Sequence, residues 1–434
     1  MSVLSEIIHQ INTLLWNFPM LVLLLGTHIY FTFKLKFIQR LLPKGIKLSF
    51  SKQNSNENGI TPYAALSTAL AATIGTGNII GISTAIAIGG PGAVFWCWIT
   101  GVFGVATCYA EAFLSSKYRI KNKDGKYTGG PMYVLKNVLH MKYTAVAFAL
   151  FTVLASLGVG SSVQANSICT AITEHYAISP HIIGIVVAVL AGFIMLGGVK
   201  QISKICTYLV PLMSIFYLAG CGYLLLLNQN YILKSIWIII TSAFSSKPFI
   251  GGIAGTTMIL GIRTGISKGL FTNEAGLGSI PMTSAASNCD SPIKQGLISM
   301  TGPFWDTVVI CAITGIVIVS SMLHYPLEYV NIAADRLCFA AFSKLPFWGG
   351  EILSLSLALF AFATIIGWCY YGECSICFLT GNRGIQIYQI IYIVFIYLGA
   401  VMSLQFVWGL SVLLNSLMAI PNLICIWWLR KEIS

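Results

Sequence analysis

The chain has 434 residues, of which 56% are hydrophobic and only 9% are charged, and its formal net charge is +12. A soluble domain is ordinarily about 45–50% apolar and about 25% charged, so this composition excludes a soluble enzyme, a disordered chain and a transcription factor. The long apolar runs lack the period-2 alternation of a membrane barrel, and they predict an all-α polytopic membrane protein.

Eleven segments are long and apolar enough to cross a bilayer, which takes about 20 helical residues. In chain order they cover residues 13–33, 62–90, 91–116, 143–173, 180–199, 207–227, 251–288, 296–322, 350–379, 385–405 and 406–429. Prolines and basic loops mark many of their ends.

The basic residues are distributed unevenly between the two sides that these segments define. Of the 25 lysines and arginines, 19 fall in loops on one side and 4 on the other, while Arg263 and Lys268 lie inside a segment. Positive charge collects on the cytoplasmic side of membrane proteins. The pattern therefore predicts a protein of the cell inner membrane with its N-terminus outside and its C-terminus in the cytoplasm. It also accounts for the net charge without a nucleic-acid partner.

Two of the segments carry stretches that a continuous membrane helix would avoid. The first, residues 72–78, reads ATIGTGN, and the second, residues 271–279, reads FTNEAGLGS. Glycine lowers the cost of leaving helical geometry, and irregular backbone survives in a bilayer only where it lines a cavity or is buried in protein. Interrupted helices at corresponding places in two halves of a chain indicate a transporter site.

The positions of these interruptions predict an internal repeat. If the first segment is accessory, the broken helices are the first and sixth of the remaining ten, as a 5+5 inverted repeat requires. The predicted parts are an N-terminal accessory helix (1–33), a basic cytoplasmic loop (34–61), a first five-helix repeat (62–227), an external connector (228–250), a second five-helix repeat (251–429) and a cytoplasmic tail (430–434).

Breaking a helix exposes N–H groups at one new end and C=O groups at the other. The N–H end suits a carboxylate, and the C=O end suits a small cation. A zwitterionic amino acid together with Na⁺ matches such a site, although glycines can also serve close helix packing.

Several stretches, in order along the chain, resemble the bacterial and archaeal alanine/glycine:cation symporters, which are usually sodium-coupled. Among them are GVGSSVQAN (158–166), KGLFTNEAGLGSIP (268–281), ATIIGWCYYGE (363–373) and NSLMAIPNL (415–423). The resemblance implies the inverted-repeat fold of sodium-coupled leucine transporters with one extra N-terminal helix. It implies symport of small neutral amino acids (alanine, glycine and possibly serine) by alternating access, with no enzymatic activity.

The same resemblance assigns residues to the site. The cation, a co-transported sodium ion, is expected on the backbone carbonyls of Ala71 and Ile74 and the hydroxyl of Thr364. The amino acid is expected on Thr73, Gly75, Thr76, Gly77, Gln164, Thr272, Asn273 and Trp368. Further supporting or gating roles are expected for Asn78, Asn166, Glu274 and Lys268. No organic cofactor is expected, and a monomer in the lipid bilayer is expected to suffice for function.

Each of these assignments has an alternative in ordinary packing. Thr364 can bond within its own helix, Gln164 can bond between helices, and Trp368 can pack in the core. Four carboxylates lie in or near the segments, those of Glu111, Glu274, Asp306 and Glu373. We expect them to pair with cations or to cap helix ends, and the alternative is that Glu274 carries a proton for a proton-coupled symporter or exchanger of the same fold.

Overall fold

A computed structural model describes residues 2–51, 59–122, 125–174, 176–245, 258–402 and 404–433. Its helices are α1 Ser2–Asn17, α2 Pro19–Lys34, α3 Leu42–Ser49, α4 Pro62–Thr73, α5 Ile82–Gly89, α6 Gly92–Lys117, α7 Pro131–Asn137, α8 Lys142–Ala155, α9 Val163–Thr173, α10 Pro180–Met195, α11 Gly198–Leu227, α12 Ile232–Ser242, α13 Met258–Asn273, α14 Ile280–Ala286, α15 Pro292–Ser299, α16 Thr301–Pro303, α17 Ala312–His324, α18 Leu337–Phe342, α19 Gly349–Thr380, α20 Ile385–Val401 and α21 Leu404–Trp428. Three stretches of π-helix join some of these helices, at Gly77–Gly81, Ser156–Ser162 and Phe304–Cys311. Short 3-10 helices cover Ile38–Leu41, Gln229–Tyr231, Pro326–Tyr329, Gly381–Gly384 and Arg430–Glu432. Two short strands, β1 Ile120–Lys121 and β2 Tyr127–Thr128, pair antiparallel with Ile120 opposite Thr128.

The chain is a mostly helical, multi-pass membrane protein. In the described part of the chain, 7 helices are long and apolar enough to span a membrane, or 8 if the bent pair Pro62–Thr73 and Gly77–Gly89 counts as one span. One of the seven, Gly349–Val401, contains both α19 and α20, which the 3-10 turn Gly381–Gly384 separates. The count of eleven spans therefore stays a prediction.

Several predicted bounds differ from those of the structure. The segment placed at 13–33 begins earlier, since α1 and α2 follow each other across Phe18, and the segment placed at 207–227 begins at Gly198 in α11. The connector 228–250 contains the helix α12, and the loop 34–61 contains α3. Residues 52–58 of that loop, 246–250 of the connector and 251–257 of the seventh segment lie outside the described residues.

The ends of the helices follow from local chemistry. Pro62 occupies the first turn of α4, where a missing N–H costs nothing, and the Thr61 hydroxyl accepts a hydrogen bond from the Ala64 amide at 3.2 Å. Later in the chain, α19 stops at Gly381, whose φ of +71° a residue with a Cβ rarely adopts.

The helix predicted over residues 62–90 is broken. It ends at Thr73, resumes as the π-helical turn Gly77–Gly81 and continues as α5, with a bend of 52° between the two parts. We call these parts together the first broken helix and residues 74–76 the first break. At Ile74 the backbone is extended, with ψ of 93°, so the helical hydrogen-bond ladder stops there.

The helix predicted over residues 251–288 is broken as well, between α13 and α14. We call these two helices the second broken helix and residues 274–279 the second break. Glu274, Gly276 and Gly278 have φ of 53°, 87° and 88°. Two of the three are glycines, because this left-handed region is costly for other residues. Glu274 adopts it without that freedom.

Packing brings the two broken helices together. A Cβ added to Gly77 would lie 2.6 Å from Thr272 Cγ2, so the two helices touch beside their breaks. They also meet where α4 begins and α14 ends, because the Ile60 amide donates to the Ala286 carbonyl at 3.0 Å. The second broken helix lies close against α6, since a Cβ on Gly269 would stand 2.1 Å from Thr100 Oγ1.

The C-terminal tail lies beside one end of α6. Glu432 accepts hydrogen bonds from Lys117 Nζ at 2.7 Å and from the Tyr118 hydroxyl. The Lys117 hydrogen bond, followed by that of Tyr118, holds the pKa of Glu432 below its usual value. The neighbouring Arg119 donates to the carbonyls of Ser287 and Cys289, just after α14.

Candidate substrate and cation site

The first break leaves some of its backbone N–H groups unpaired, but not that of Gly75. The Gly75 amide donates to Asn78 Oδ1 at 2.8 Å, so this N–H is not free for a ligand. The amides of Thr76 and Gly77 have no hydrogen-bond partner among the described residues. Asn78 thus reaches back to the Gly75 amide as the third residue of a capping box does, and the next two N–H groups remain for an anion.

Thr364 lies at the carbonyl end of the same break. Its hydroxyl is 3.5 Å from the Ile74 carbonyl oxygen and also bonds to the Phe360 carbonyl in its own helix at 3.1 Å. The hydroxyl is therefore back-bonded, as the alternative held, and it also faces the break. A Cβ on Gly367 would lie 2.6 Å from the Ala72 amide nitrogen, so α19 packs directly on the end of α4 that contains Ala71.

Gln164 reaches the same point from α9. A Cβ placed on Gly75 would stand 2.6 Å from Thr364 Oγ1 and 3.7 Å from Gln164 Oε1. The Gln164 side chain is buried, and its Nε2 donates to the Val159 carbonyl at 3.1 Å. Its Oε1 has no hydrogen-bond partner in the described part of the chain. A buried acceptor without a donor costs about 1–3 kcal/mol, and a ligand that donates a hydrogen bond would remove that cost.

Trp368 connects the second break to α19. Its Nε1 donates to Glu274 Oε1 at 3.0 Å, and the Ser279 hydroxyl donates to Glu274 Oε2 at 2.5 Å. The side chain of Trp368 is fully buried, and a Cβ on Gly160 would lie 2.3 Å from Trp368 Cβ. The indole is therefore fixed between the π-helical stretch Ser156–Ser162 and the second break, one helical turn from Thr364.

Thr272 and Asn273 end the first half of the second broken helix. Thr272 touches Gly77, as described above, and its hydroxyl bonds back to the Lys268 and Gly269 carbonyls. Asn273 donates to Thr100 Oγ1 at 3.3 Å and accepts from the Ala275 amide at 3.1 Å. Its side-chain groups therefore serve α6 and its own turn, and only its backbone is left for a substrate.

Two expected supporting residues lie at the edge of this cluster or beyond it. Asn166 donates to the Gly399 and Met402 carbonyls at 3.0 Å each, so it holds α9 to the end of α20 and not to either break. The Lys268 side chain passes Gly81, with its Cδ 4.0 Å from where a Cβ would stand. Among the described residues no ion pair involves Lys268.

Glu111 caps the exposed amides of the second break, one of the two roles expected for the buried carboxylates. Its carboxylate accepts from the Gly276 amide at 3.2 Å, the Gly278 amide at 3.1 Å and Asn422 Nδ2 at 2.5 Å. The exposed N–H groups of the second break are therefore occupied by a protein carboxylate. The other expected role, an ion pair with a membrane cation, does not occur for Glu111 in the described ranges, where the four ion pairs involve Lys117, Arg336 and Lys344.

Asp306 is the corresponding partner of the first break. It lies in the π-helical stretch Phe304–Cys311 and accepts from Asn78 Nδ2 at 2.7 Å and from the Thr307 hydroxyl at 2.7 Å. Asn78 is thereby held in the orientation that caps Gly75. The sequence marked Asp306 only as a buried carboxylate, because its partner is 228 residues away.

The donor set around the first break fits an alkali cation better than a transition metal. Within the described ranges no group of three His, Cys, Asp or Glu side chains could hold a metal ion. The oxygens beside Gly75 are the Ile74 carbonyl, the Thr364 hydroxyl and the unpaired Gln164 carbonyl. Neutral carbonyl and hydroxyl oxygens are ligands that Na⁺ accepts.

Known proteins that are similar to this chain include sodium-coupled symporters. The family model described as "Sodium:alanine symporter family" matches residues 1–434. The sodium/alanine symporter AgcS of Methanococcus maripaludis is 42% identical over 426 residues, which cover 96% of this chain and 93% of that protein. The probable sodium/glutamine symporter GlnT of Bacillus subtilis is 35% identical over 435 residues, 100% of this chain and 90% of the relative.

The solved structures support the architecture. MhsT in complex with L-phenylalanine matches with a TM-score of 0.62 at 15% identity, over 86% of this chain and 90% of that one. At this identity the match establishes a shared fold.

Proposed function

We propose that this chain, which belongs to the sodium:alanine symporter family, imports small neutral amino acids together with Na⁺ by alternating access. It is a membrane transport protein and not an enzyme. The expected cargo is alanine, glycine or serine, and the driving force is the sodium gradient across the inner membrane.

The single observation that carries this proposal is the meeting of unpaired groups at Gly75. The carboxylate of the amino acid would accept from the free amides of Thr76 and Gly77. Its ammonium would donate to Gln164 Oε1, the buried oxygen that otherwise lacks a partner. The fixed indole of Trp368 would limit the size of the side chain, with Thr73 and Thr272 completing the walls.

The sodium ion is proposed beside the same break, on the carbonyls of Ala71 and Ile74 and the hydroxyl of Thr364. The 3.5 Å between Thr364 Oγ1 and the Ile74 carbonyl supports this arrangement. The Thr364 hydroxyl also donates to the Phe360 carbonyl at 3.1 Å, a hydrogen bond that its lone pairs can keep while they face an ion. One Na⁺ crossing 100 mV with a tenfold gradient releases about 3.7 kcal/mol, enough for roughly 500-fold accumulation of a neutral substrate.

We infer eleven spans, an accessory helix followed by a 5+5 inverted repeat, with the loops at 34–61 and 117–142 and the C-terminal tail in the cytoplasm. The contact of Lys117 with Glu432 supports a common face for the tail and the basic loops. The similarity to the fold of MhsT supports the repeat. A monomer is expected to suffice, because the proposed ligands all come from one chain.

Counterflow of labelled alanine in proteoliposomes tests the proposal. Flux should depend on Na⁺ and should fall to background when choline replaces it, and glycine and serine should compete with the label. Undiminished flux in choline would refute sodium coupling. If only amino acids with large side chains competed with labelled alanine, the proposed substrate class would be refuted.

A proton-coupled carrier of the same fold is the second candidate, and one contact favours it. Glu274 is a buried carboxylate that accepts a hydrogen bond from the indole of Trp368. Protonation of Glu274 would change this hydrogen bond and so act on the residue proposed to line the substrate pocket. This candidate predicts uptake driven by a pH gradient and abolished in Glu274→Gln. Sodium-driven uptake that persists in that variant would exclude Glu274 as the proton carrier.

A further inference from the structure

A cavity of about 700 Å³ opens away from the site, on the face of the basic loops. Its lining includes Ile60 at the start of the first broken helix and Ala286 at the end of the second. Tyr370 and Glu373 of α19 line it too, and they are 1% and 4% exposed. These two side chains therefore form its inner end.

The wider part of the cavity is basic. The lining includes Lys126, Lys200 and Arg383, all of them exposed. Glu373 is the one acidic residue that lines the cavity in the described part of the chain. A cation in this cavity would be repelled by the basic residues at its wider part and attracted by the carboxylate of Glu373 at its inner end.

Glu373 is held but is not neutralised by a protein cation. Its Oε1 accepts from Gln389 Nε2 at 2.6 Å and lies 3.6 Å from the Cys369 sulfur. In the described ranges no hydrogen bond reaches its Oε2 and no lysine or arginine lies within ion-pair distance. A buried carboxylate without a cationic partner is costly when ionised, and the Oε2 of Glu373 is open to a positive ligand.

Glu373 lies beyond the site along α19. It follows Thr364 by nine residues, which puts it about 14 Å further along the helix axis and about half a turn round the helix, on the face that meets Gln389 of α20. Tyr370 stands between them, and its hydroxyl donates to the Met282 carbonyl of α14 at 3.4 Å. This hydrogen bond joins α19 to the second broken helix at the inner end of the cavity.

We propose that Glu373 is a transient cation site on the exit route, which takes the positive part of the cargo once Tyr370 separates from Met282. The proposal rests on the symport function proposed above and adds a residue that this function did not assign. Its ligand is a monovalent positive group, either the sodium ion or the ammonium of the amino acid. Gln389 occupies one carboxylate oxygen, which keeps the ligand weakly bound so that it is released.

Measurements on the two faces of the membrane test this role. Intact cells present the outer face, and inverted membrane vesicles from the same cells present the face with the cavity. The quantities are the concentrations of Na⁺ and of alanine that half-saturate labelled alanine transport on each face. Glu373→Gln should raise the half-saturating concentration of one of them at least fivefold in inverted vesicles, and should leave the values in cells within twofold of the wild type.

The outcomes separate the possibilities. A change confined to Na⁺ assigns the sodium ion to Glu373, and a change confined to alanine assigns the ammonium. Equal changes on both faces, or no change, overturn the proposal. If the wild type shows no Na⁺ dependence on either face, the proposed sodium coupling fails instead, and the alanine measurement alone then decides the role of Glu373.

Gln389→Leu provides a second variant with the opposite expected sign. Loss of the competing donor leaves Glu373 freer to hold a cation, so the half-saturating concentration on the cavity face should fall at least twofold. A structural role of the Glu373–Gln389 pair would impair transport in both variants on both faces. If Glu373→Gln does not reach the membrane, an unchanged or raised value in Gln389→Leu overturns the proposal.

Discussion

Replacement of Gln164 by leucine should separate stability from binding. The unpaired Oε1 costs about 1–3 kcal/mol in the empty protein, whereas the Nε2 bond to Val159 contributes about 0.5–1.5 kcal/mol. Gln164→Leu removes the unpaired oxygen together with the Nε2 hydrogen bond. Because the cost removed is at least as large as the contribution lost, the thermal midpoint of the protein without substrate should stay the same or rise. The substrate loses a hydrogen bond from its ammonium, about 1.5–3 kcal/mol, which corresponds to an affinity about 10- to 150-fold weaker.

The assay uses purified protein in detergent with Na⁺ present, and it combines the thermal midpoint with equilibrium binding of labelled alanine. Gln295→Leu is the matched control, because Gln295 is also buried, donates from Nε2 to Ser299 at 3.0 Å and leaves its Oε1 unpaired. It should resemble Gln164→Leu in stability and keep the wild-type affinity. A Gln164→Leu protein that binds alanine normally would refute the assignment of Oε1 as a ligand.

Four further predictions follow from the same contacts. Glu111→Gln replaces an acceptor of three hydrogen bonds by a group that is half donor, so it should destabilise the protein by about 2 kcal/mol; an unchanged thermal midpoint would contradict this role. Gly75→Ala should abolish alanine uptake, because its methyl would stand 2.6 Å from Thr364 Oγ1, whereas Gly222→Ala, with nothing within 4 Å, should transport normally. Thr364→Val should raise the Na⁺ concentration that half-saturates uptake about tenfold, the effect of losing about 1.4 kcal/mol, while Thr364→Ser stays near the wild type; equal values for both would exclude the hydroxyl as a ligand. Trp368→Ala should impair alanine binding measured at equilibrium, and wild-type affinity would remove the indole from the pocket.

The positions of the two breaks could be predicted because their causes are local. Glycines beside threonine and asparagine lower the cost of leaving the helix at 74–76 and 274–279, and no neighbouring helix is needed to recognise this. The long apolar runs predicted the membrane class in the same way. Bounds were less certain, as the early start of α11 at Gly198 illustrates, because hydropathy does not mark where a helix extends beyond the bilayer.

The use of the exposed N–H groups could not be predicted from the sequence. The second break is occupied by Glu111, 165 residues before Gly276, and at the first break Asn78 takes the Gly75 amide and is itself held by Asp306. Asn166, expected near the site, binds α20 instead. Each of these hydrogen bonds depends on which helices pack together. The local sequence around a polar residue in an apolar run does not show which distant residue it will contact.

The amino-acid sequence by itself determined that this is a membrane protein, where its helices are broken and which backbone groups the breaks expose. These features follow from hydropathy and backbone preference, which act over a few residues. Tertiary structure alone decided which exposed groups remain available, leaving the Thr76 and Gly77 amides and Gln164 Oε1 without partners. It also decided that Glu373 lines a basic cavity beyond Tyr370. Hydrogen bonds and cavities join residues far apart in the chain, and only the packing of the helices brings them within reach of one another.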